Sequence, residues 1–256
     1  MAVAAIALVA TLVLGGGDAD DPVATPSTTG APTASPTPSA SPSPATMPPG
    51  EIVVSTTGES LPVYEAAGDA EPLEELGPWS LYGFPTTLLG FGTTDVDGEE
   101  WIEVELLGAP NHERAWVPAA QVEVTSTQTA IHVYLDEREL ELTVDDEVAL
   151  TSEVVIGADE SPTPLGTFWV TDPLDFTAND SGVYGAYALG LNGYSETLEE
   201  FNGGPPQIAV HGTNEPELLG QNVSNGCIRV PNDVAVELGA QAPVGTPVVV
   251  HQSRSV

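Results

Sequence analysis

The sequence is poor in cations, because it has no lysine and only four arginines against 38 acidic residues. The formal net charge at pH 7 is therefore −34. A charge of this size repels the phosphates of nucleic acids and the surface of anionic membranes. The composition argues against nucleic-acid binding and favours a highly soluble protein.

Cysteine is equally scarce, because Cys227 is the only one in the chain. A single cysteine cannot form an internal disulfide, so it pairs between molecules or reacts as a thiol. Cys227 follows the small or polar residues Ser224, Asn225 and Gly226, whereas a structural cysteine usually lies among apolar residues. This context favours a nucleophile. No HExxH motif or Cys/His cluster accompanies it, so we predict no metal and no cofactor.

A nucleophilic cysteine needs a base, because a free thiol with a pKa of ~8.5 is only slightly ionised at neutral pH. His211 is the candidate. It ends the apolar run 208–210, which is typical of a buried strand, and Gly212 follows it. A lone histidine at a strand end is more often a structural residue, but histidine, glycine and cysteine together favour a catalytic pair.

Three motifs follow one another in the second half of the chain: SPTPLGTF at 161–168, HGTNEPELLGQNVSNGCIR at 211–229 and VGTPVVV at 244–250. In order and spacing they resemble the TPxG segment, the catalytic signature and the closing G-T-x-V strand of the L,D-transpeptidases, the YkuD-type enzymes of the bacterial cell wall. The familiar signature has histidine where this chain has Asn225. Many members have asparagine in place of Arg229.

This resemblance implies roles for the residues of the signature. Cys227 is expected to be the nucleophile and His211 the base that activates it. In the family a backbone carbonyl just after the histidine orients it, and here that group is the carbonyl of Gly212. The backbone N–H groups of Gly226 and Cys227 are expected to form the oxyanion hole, because a Gly-Cys turn leaves them unobstructed.

Four further residues are expected at the substrate: Arg229, Ser224, Asn225 and Tyr187. Arg229 either pairs with a substrate carboxylate or anchors its loop to an acidic neighbour. Ser224 is expected mainly to stabilise the turn. Tyr187 and nearby Tyr184 lie in a region that covers the catalytic groove in the family, although core packing explains either tyrosine equally well.

The implied activity is peptidoglycan L,D-transpeptidation. The donor would be a tetrapeptide stem, cut between its third-position diamino acid and D-alanine, and a thioester on Cys227 would pass to an amine to form a 3-3 cross-link. Water as acceptor would make an L,D-carboxypeptidase, and another amine would anchor a protein to the wall. Carbapenems are expected to acylate Cys227. A non-catalytic wall-binding protein is the alternative from a different class.

Strand signals dominate from residue 51 onward, so the predicted fold is all-β with a few short helices. Residues 51–125 contain WIEVEL (101–106) after the hairpin signal Asp97-Gly98, and AWVPAAQVEV (115–124) resembles the last strands of small bacterial SH3-like β-barrels. Residues 127–252 are assigned to the catalytic domain, a YkuD-type β-sandwich by resemblance.

Three polar residues outside the signature are given structural roles. His132 is predicted on the polar face of the strand 131–135, opposite Ile131 and Val133. His112 is predicted in a solvated loop. Asn232 is predicted to cap a short helix over 233–238.

The N-terminal segments differ from the rest of the chain. Residues 1–17 form an apolar run that is shorter than the ~20 residues of a spanning helix and is preceded by no lysine or arginine, so we interpret them as a remnant of a signal peptide or signal-anchor. Residues 18–50, rich in proline, serine and threonine, are predicted to be a disordered spacer. Together they predict an extracytoplasmic protein of the cell envelope, tethered to the membrane or secreted.

Overall fold

The structure is a computed structural model that describes residues 51–178, 182–201 and 203–254. The predicted signal segment at 1–17 and the predicted spacer at 18–50 lie outside the described residues. Within the described ranges, no helix combines the length and the apolar character needed to cross a membrane.

Strands are the main regular structure of the described chain, which has one α-helix and three 3-10 turns. This confirms the predicted all-β class with a few short helices. The elements of the upstream part are β1 (Glu51–Thr56), β2 (Leu61–Val63), β3 (Glu74–Leu76), β4 (Thr87–Val96), β5 (Glu99–Glu105), β6 (Arg114–Pro118), a 3-10 turn (Ala119–Gln121) and β7 (Val122–Thr127).

The elements of the downstream part follow after Gln128. They are β8 (Thr129–Tyr134), β9 (Glu139–Val144), β10 (Glu147–Glu153), β11 (Ile156–Gly157), β12 (Gly166–Asp175), a 3-10 turn (Gly182–Tyr184), β13 (Tyr187–Tyr194), β14 (Gln207–His211), a 3-10 turn (Pro216–Leu218), β15 (Asn222–Ser224), β16 (Ile228–Arg229), α1 (Asn232–Gln241) and β17 (Pro247–His251).

The upstream strands form a five-stranded antiparallel sheet in the order β6-β5-β4-β1-β7, beside the separate β2-β3 hairpin. Asp97 and Gly98 join β4 to β5 with φ values of 55° and 88°. Two positive φ values are what a type I′ hairpin turn needs, so the predicted hairpin is confirmed. The SH3-like assignment of 51–125 and the limits of the catalytic domain at 127–252 stay predictions.

The downstream strands form an eight-stranded sheet in the order β10-β9-β8-β17-β12-β13-β14-β16. Neighbours are antiparallel except the pairs β8/β17 and β14/β16, which are parallel. On β8, Ile131 and Val133 are fully buried and lie opposite Leu142 and Leu140 of β9. His132 occupies the other face, where its ring stacks on His251, as the alternation of the sequence predicts.

Strand β12 is buried on both faces and therefore belongs to two cores. Phe168 and Val170 pack in the core of the eight-stranded sheet. Trp169 points the other way and is fully buried in the core of the five-stranded sheet, where its Nε1 donates to the carbonyl of Thr87 (2.7 Å). The two sheets are thus joined through the side chain of Trp169.

A second junction is formed by His112, which lies in an exposed loop between β5 and β6. Its Nδ1 lies 3.1 Å from a carboxylate oxygen of Glu105 and its Nε2 lies 3.2 Å from the carbonyl of Leu165. The loop is exposed as predicted, but Asn111 also binds it to the second sheet through two hydrogen bonds with the backbone of Tyr194, both 2.9 Å long. His112 therefore bridges the two sheets.

Candidate active site

The parallel pair β14/β16 positions Cys227 and His211. The register pairs Val210 with Ile228 and His211 with Arg229, so Cys227, just before β16, lies beside Ala209. Residues 209 and 211 share a face of β14. Strand spacings of ~4.8 Å across and ~3.3 Å along place the Cα atoms of Cys227 and His211 about 8 Å apart on that face. At this separation the two side chains can meet.

His211 is buried and oriented, with only 4% of its surface exposed. Its Nδ1 lies 2.5 Å from the carbonyl oxygen of Gly212. Because a carbonyl only accepts, Nδ1 carries the proton and Nε2 can act as the acceptor. Burial lowers the pKa of His211 to about 4, the Gly212 hydrogen bond raises it by less, and the charge of Arg229 lowers it further. The imidazole is therefore neutral at pH 7.

Cys227 is half-buried, and its Sγ lies 3.9 Å from the carbonyl oxygen of Gln207. Burial raises the pKa of the thiol above its ordinary value of 9.0, while a backbone hydrogen bond from Ala209 and the charge of Arg229 lower it by less. The rings of Tyr184 and His211 pack in a T-shaped arrangement with their centroids 5.1 Å apart. The resting site therefore contains a protonated thiol beside a neutral imidazole.

The turn that precedes Cys227 is closed by Ser224. The Ser224 hydroxyl donates to the carbonyl of Cys227 (2.6 Å) and accepts from the N–H of Gly226 (3.2 Å). Gly226 has a φ of 106°, and a Cβ there would lie 2.9 Å from Ile208, so the turn requires glycine. The Gly226 N–H expected in the oxyanion hole is thus bonded to Ser224, whereas the Cys227 N–H has no hydrogen-bond partner among the described residues.

The TPxG segment supports this turn from the protein interior. Thr163 is buried, and its hydroxyl donates to the carbonyl of Gly226 (2.9 Å) and accepts from the N–H of Gly157 (2.9 Å). The hydroxyl of Ser161 donates to the carbonyl of Ser224 (3.2 Å). These contacts explain why the segment accompanies the cysteine turn in the sequence.

Two residues expected at the substrate lie at the edges of the site. Arg229 Nη1 contacts a carboxylate oxygen of Glu215 at 3.2 Å, so of its two possible roles the structure shows the anchor to an acidic neighbour. Its Nε is buried and has no partner among the described residues. Asn225 is exposed and lines a small depression beside Cys227.

A cleft with a volume of about 590 Å³ leads to Cys227. Tyr184 lines this cleft, as do residues of β12, β13 and β14. Tyr187, expected in the groove, instead packs against α1, where a Cβ on Gly239 would clash with its ring. Core packing was the other reading of Tyr187, and it is the one that the structure shows.

The cleft also contains residues that the sequence did not single out: Asp172 on β12 and Ser80, Leu81 and Tyr82 from the upstream part. Segments that are about a hundred residues apart come together here because Trp169 and His112 join the two sheets. No local pattern marks Ser80 or Asp172. Within the described ranges, no group of three or more His, Cys, Asp or Glu side chains is placed to hold a metal ion.

Asn232 has a role that differs from the predicted one. The helix α1 begins at Asn232 itself, after Pro231, and no side chain caps it. The Asn232 Oδ1 accepts from the N–H groups of Ala186 (3.0 Å) and Thr213 (3.1 Å), and its Nδ2 donates to the carbonyl of Thr213 (3.0 Å). Asn232 therefore joins the loop after His211 to the start of β13 and positions the histidine.

Three comparisons place these residues among known proteins. Residues 128–250 match the family model of the L,D-transpeptidase catalytic domain, YkuD. A Bacillus subtilis (strain 168) protein is 30% identical over 122 residues, 48% of this chain and 65% of that protein, and one from Bacillus licheniformis is 33% identical over 118 residues, 46% and 62%; both are named "Putative L,D-transpeptidase YkuD". The chain thus spans less than two thirds of these relatives.

The third comparison is with one solved structure, by its identity, coverage and TM-score. The catalytic domain of the Enterococcus faecium L,D-transpeptidase acylated by ertapenem is 26% identical, with a TM-score of 0.38 over 50% of this chain and 99% of that one.

Proposed function

We propose, on the premise that residues 128–250 are an L,D-transpeptidase catalytic domain of the YkuD family, that this protein is a peptidoglycan L,D-transpeptidase working by cysteine acyl transfer. One observation carries the proposal. Cys227 lines a cleft and shares a sheet face with His211, a neutral base that the Gly212 carbonyl orients. The donor is a tetrapeptide stem, D-alanine is released, and an acceptor amine forms a 3-3 cross-link.

Acylation starts from the neutral pair. As Cys227 Sγ attacks the donor carbonyl carbon, the thiol proton passes to Nε2 of His211. The carbonyl oxygen gains negative charge, and the Cys227 N–H is the free donor next to the sulfur. The Gly226 N–H becomes a second donor when it leaves the Ser224 hydroxyl.

The tetrahedral intermediate formed by this attack then breaks down toward products. His211 gives its proton to the nitrogen of the leaving D-alanine, the C–N bond breaks, and a thioester remains on Cys227. An acceptor amine attacks the thioester and gives a proton to Nε2, and the departing thiolate takes that proton back. The Gly212 carbonyl stabilises the imidazolium that forms in both half-reactions.

The substrate implies the partners and the location. Peptidoglycan stem peptides lie outside the cytoplasmic membrane, so we propose that the protein acts in the cell envelope, with its N terminus associated with the membrane or removed. A carbapenem presents a strained amide carbonyl to the same thiol, and we expect it to acylate Cys227 by the same first half-reaction.

Intact-protein mass spectrometry after incubation with a carbapenem and with a tetrapeptide donor tests the mechanism. The wild type should gain one acyl group and release D-alanine. Cys227→Ser should gain none, and His211→Gln should react about 100- to 10,000-fold more slowly. His132→Gln, which changes a histidine away from the cleft, is the matched control and should react at the wild-type rate. A folded wild type with a reduced thiol that gains no adduct from either reagent would contradict the proposal.

A further inference from the structure

Asp172 is the one charged side chain among the described residues that line the cleft. It is buried, with 4% of its surface exposed. Its carboxylate accepts hydrogen bonds from the hydroxyls of Ser80 (2.5 Å) and Thr171 (2.7 Å), and in the described ranges no arginine or histidine pairs with it. A carboxylate has about four acceptor positions, so about two stay open. A buried carboxylate without a counter-ion favours a ligand that brings a cation.

The register of the sheet connects Asp172 to the nucleophile. Asp172 lies opposite Gly190 on β13, and Gly190 lies opposite Ala209 on β14, beside Cys227. Two strand spacings of ~4.8 Å separate Asp172 from Ala209, about 10 Å in all. Gly190 has no side chain, and a Cβ there would lie 3.2 Å from the Asp172 Cβ. The floor between the carboxylate and the thiol is therefore open.

Ser80 holds this carboxylate from the loop between β3 and β4. Its hydroxyl donates to Asp172 and also accepts from the N–H groups of Tyr82 (3.3 Å) and Phe84 (3.2 Å). One hydroxyl thus fixes both the conformation of the upstream loop and the position of the carboxylate. A change at Ser80 would shift the carboxylate without removing its charge.

We propose that Asp172, positioned by Ser80, binds the terminal ammonium group of a diamino acid side chain in the donor peptide. The inference rests on the proposed function, because it takes the acyl group to be on Cys227. An extended lysine side chain spans about 6 Å from Cα to its terminal nitrogen, with bonds near 1.5 Å. The carbonyl carbon, the thioester bond and the final hydrogen bond bring this reach to about 12 Å. Three strand spacings of ~4.8 Å, about 14 Å, separate the backbones of Cys227 and Asp172, and the side chains of these two residues cover the remainder.

The test compares donor tetrapeptides that differ only in the third residue: lysine, norleucine, which lacks the amine, and Nε-acetyl-lysine, which lacks the charge. The readout is kcat/KM for release of D-alanine by the full chain. The wild type should prefer the lysine donor about 10- to 100-fold, the range of a charge-assisted hydrogen bond. Asp172→Asn should reduce that preference to less than about threefold.

Two other variants separate charge recognition from structural damage. Ser80→Ala keeps the charge of Asp172 but removes the hydrogen bond that positions its carboxylate. The preference for the lysine donor should therefore fall partway, mainly through a higher KM for that donor. Asp175→Asn makes the same chemical change at the exposed end of β12, outside the cleft lining, and should keep the wild-type preference. If Asp172→Asn does not fold, the rates of the wild type and of Ser80→Ala with the three donors still show whether the carboxylate recognises the charged amine.

The outcomes distinguish the two proposals. Equal rates for all three donors with the wild type, or an unchanged lysine preference in Asp172→Asn, would overturn the assignment of Asp172 and leave acyl transfer intact. No release of D-alanine from any donor, together with no carbapenem adduct, would instead overturn the proposed function.

Discussion

The structure predicts that Cys227 and His211 rest as a neutral pair rather than as a thiolate and an imidazolium. The thiol pKa is raised above 9.0 and the imidazole pKa is about 4, so moving the proton costs at least about 7 kcal/mol, at 1.36 kcal/mol per pKa unit. Attraction between two unit charges ~4 Å apart recovers about 4 kcal/mol at an effective dielectric constant of ~20. The neutral pair is therefore favoured by about 3 kcal/mol.

The pH dependence of thiol alkylation measures this directly, because Cys227 is the only cysteine in the chain. At pH 7 a thiol with a pKa of 9 or more is at most about 1% thiolate. The rate with iodoacetamide should therefore rise about tenfold per pH unit from 7 to 9 and show no plateau below 9. His211→Gln should leave this profile nearly unchanged while it slows acylation by the donor peptide, because the base acts only during attack.

A resting ion pair would give a different result. Activated catalytic thiolates have pKa values of ~3.5–7.5, so the alkylation rate would reach a plateau near neutral pH and be about 50- to 100-fold faster at pH 7. The inflection would then move upward in His211→Gln. Either observation would refute the neutral pair, and it would show that the isolated effects of burial on the two groups are outweighed by their mutual attraction.

Three more predictions follow from the surroundings of His211, Trp169 and Asn232. The pKa of His211 falls on folding from 6.5 to about 4, so the unfolded state binds more protons than the folded state between these pH values. The contribution of the neutral imidazole to the free energy of unfolding is therefore complete above pH 6.5, and up to about 3 kcal/mol of it is lost by pH 4. Urea unfolding of the wild type and of His211→Gln across this pH range measures the loss. Trp169→Ala should reduce the free energy of unfolding by about 3–5 kcal/mol in one transition followed by circular dichroism, because Trp169 fills the shared core. Asn232→Ala should displace the His211 loop and so reduce kcat for D-alanine release about tenfold or more. It should lower the free energy of unfolding by only about 1 kcal/mol. Asn232→Asp keeps the oxygen that accepts both hydrogen bonds and should retain more activity.

The parts of the site that sequence reasoning located are those encoded by short segments. The apolar run before His211 becomes β14, the glycine before Cys227 has a positive φ, and alternation along 131–135 puts Ile131 and Val133 inside. Each of these depends on residues a few positions apart, where side-chain period and turn chemistry decide the conformation.

The parts that sequence reasoning did not locate depend on contacts between distant segments. His112 lies in an exposed loop as predicted, but its contacts with Glu105 and Leu165 were not predicted. Asn232 looks like a helix cap until Thr213 and Ala186 come within hydrogen-bonding distance. Asp172 lies four residues beyond the SPTPLGTF motif and belongs to none of the three motifs. Only the register across β12, β13 and β14 aligns it with Cys227.

The cleft is therefore formed by residues of both the upstream and the downstream parts rather than by the catalytic segment alone. The family match begins at residue 128, yet Ser80, Leu81 and Tyr82 line the cleft that contains Cys227. Trp169 keeps this arrangement in place, because a fully buried tryptophan in the upstream core cannot leave without exposing a large apolar surface. The thiol, the imidazole and the turn before the nucleophile lie within the matched segment, whereas Ser80, Leu81 and Tyr82 lie outside it.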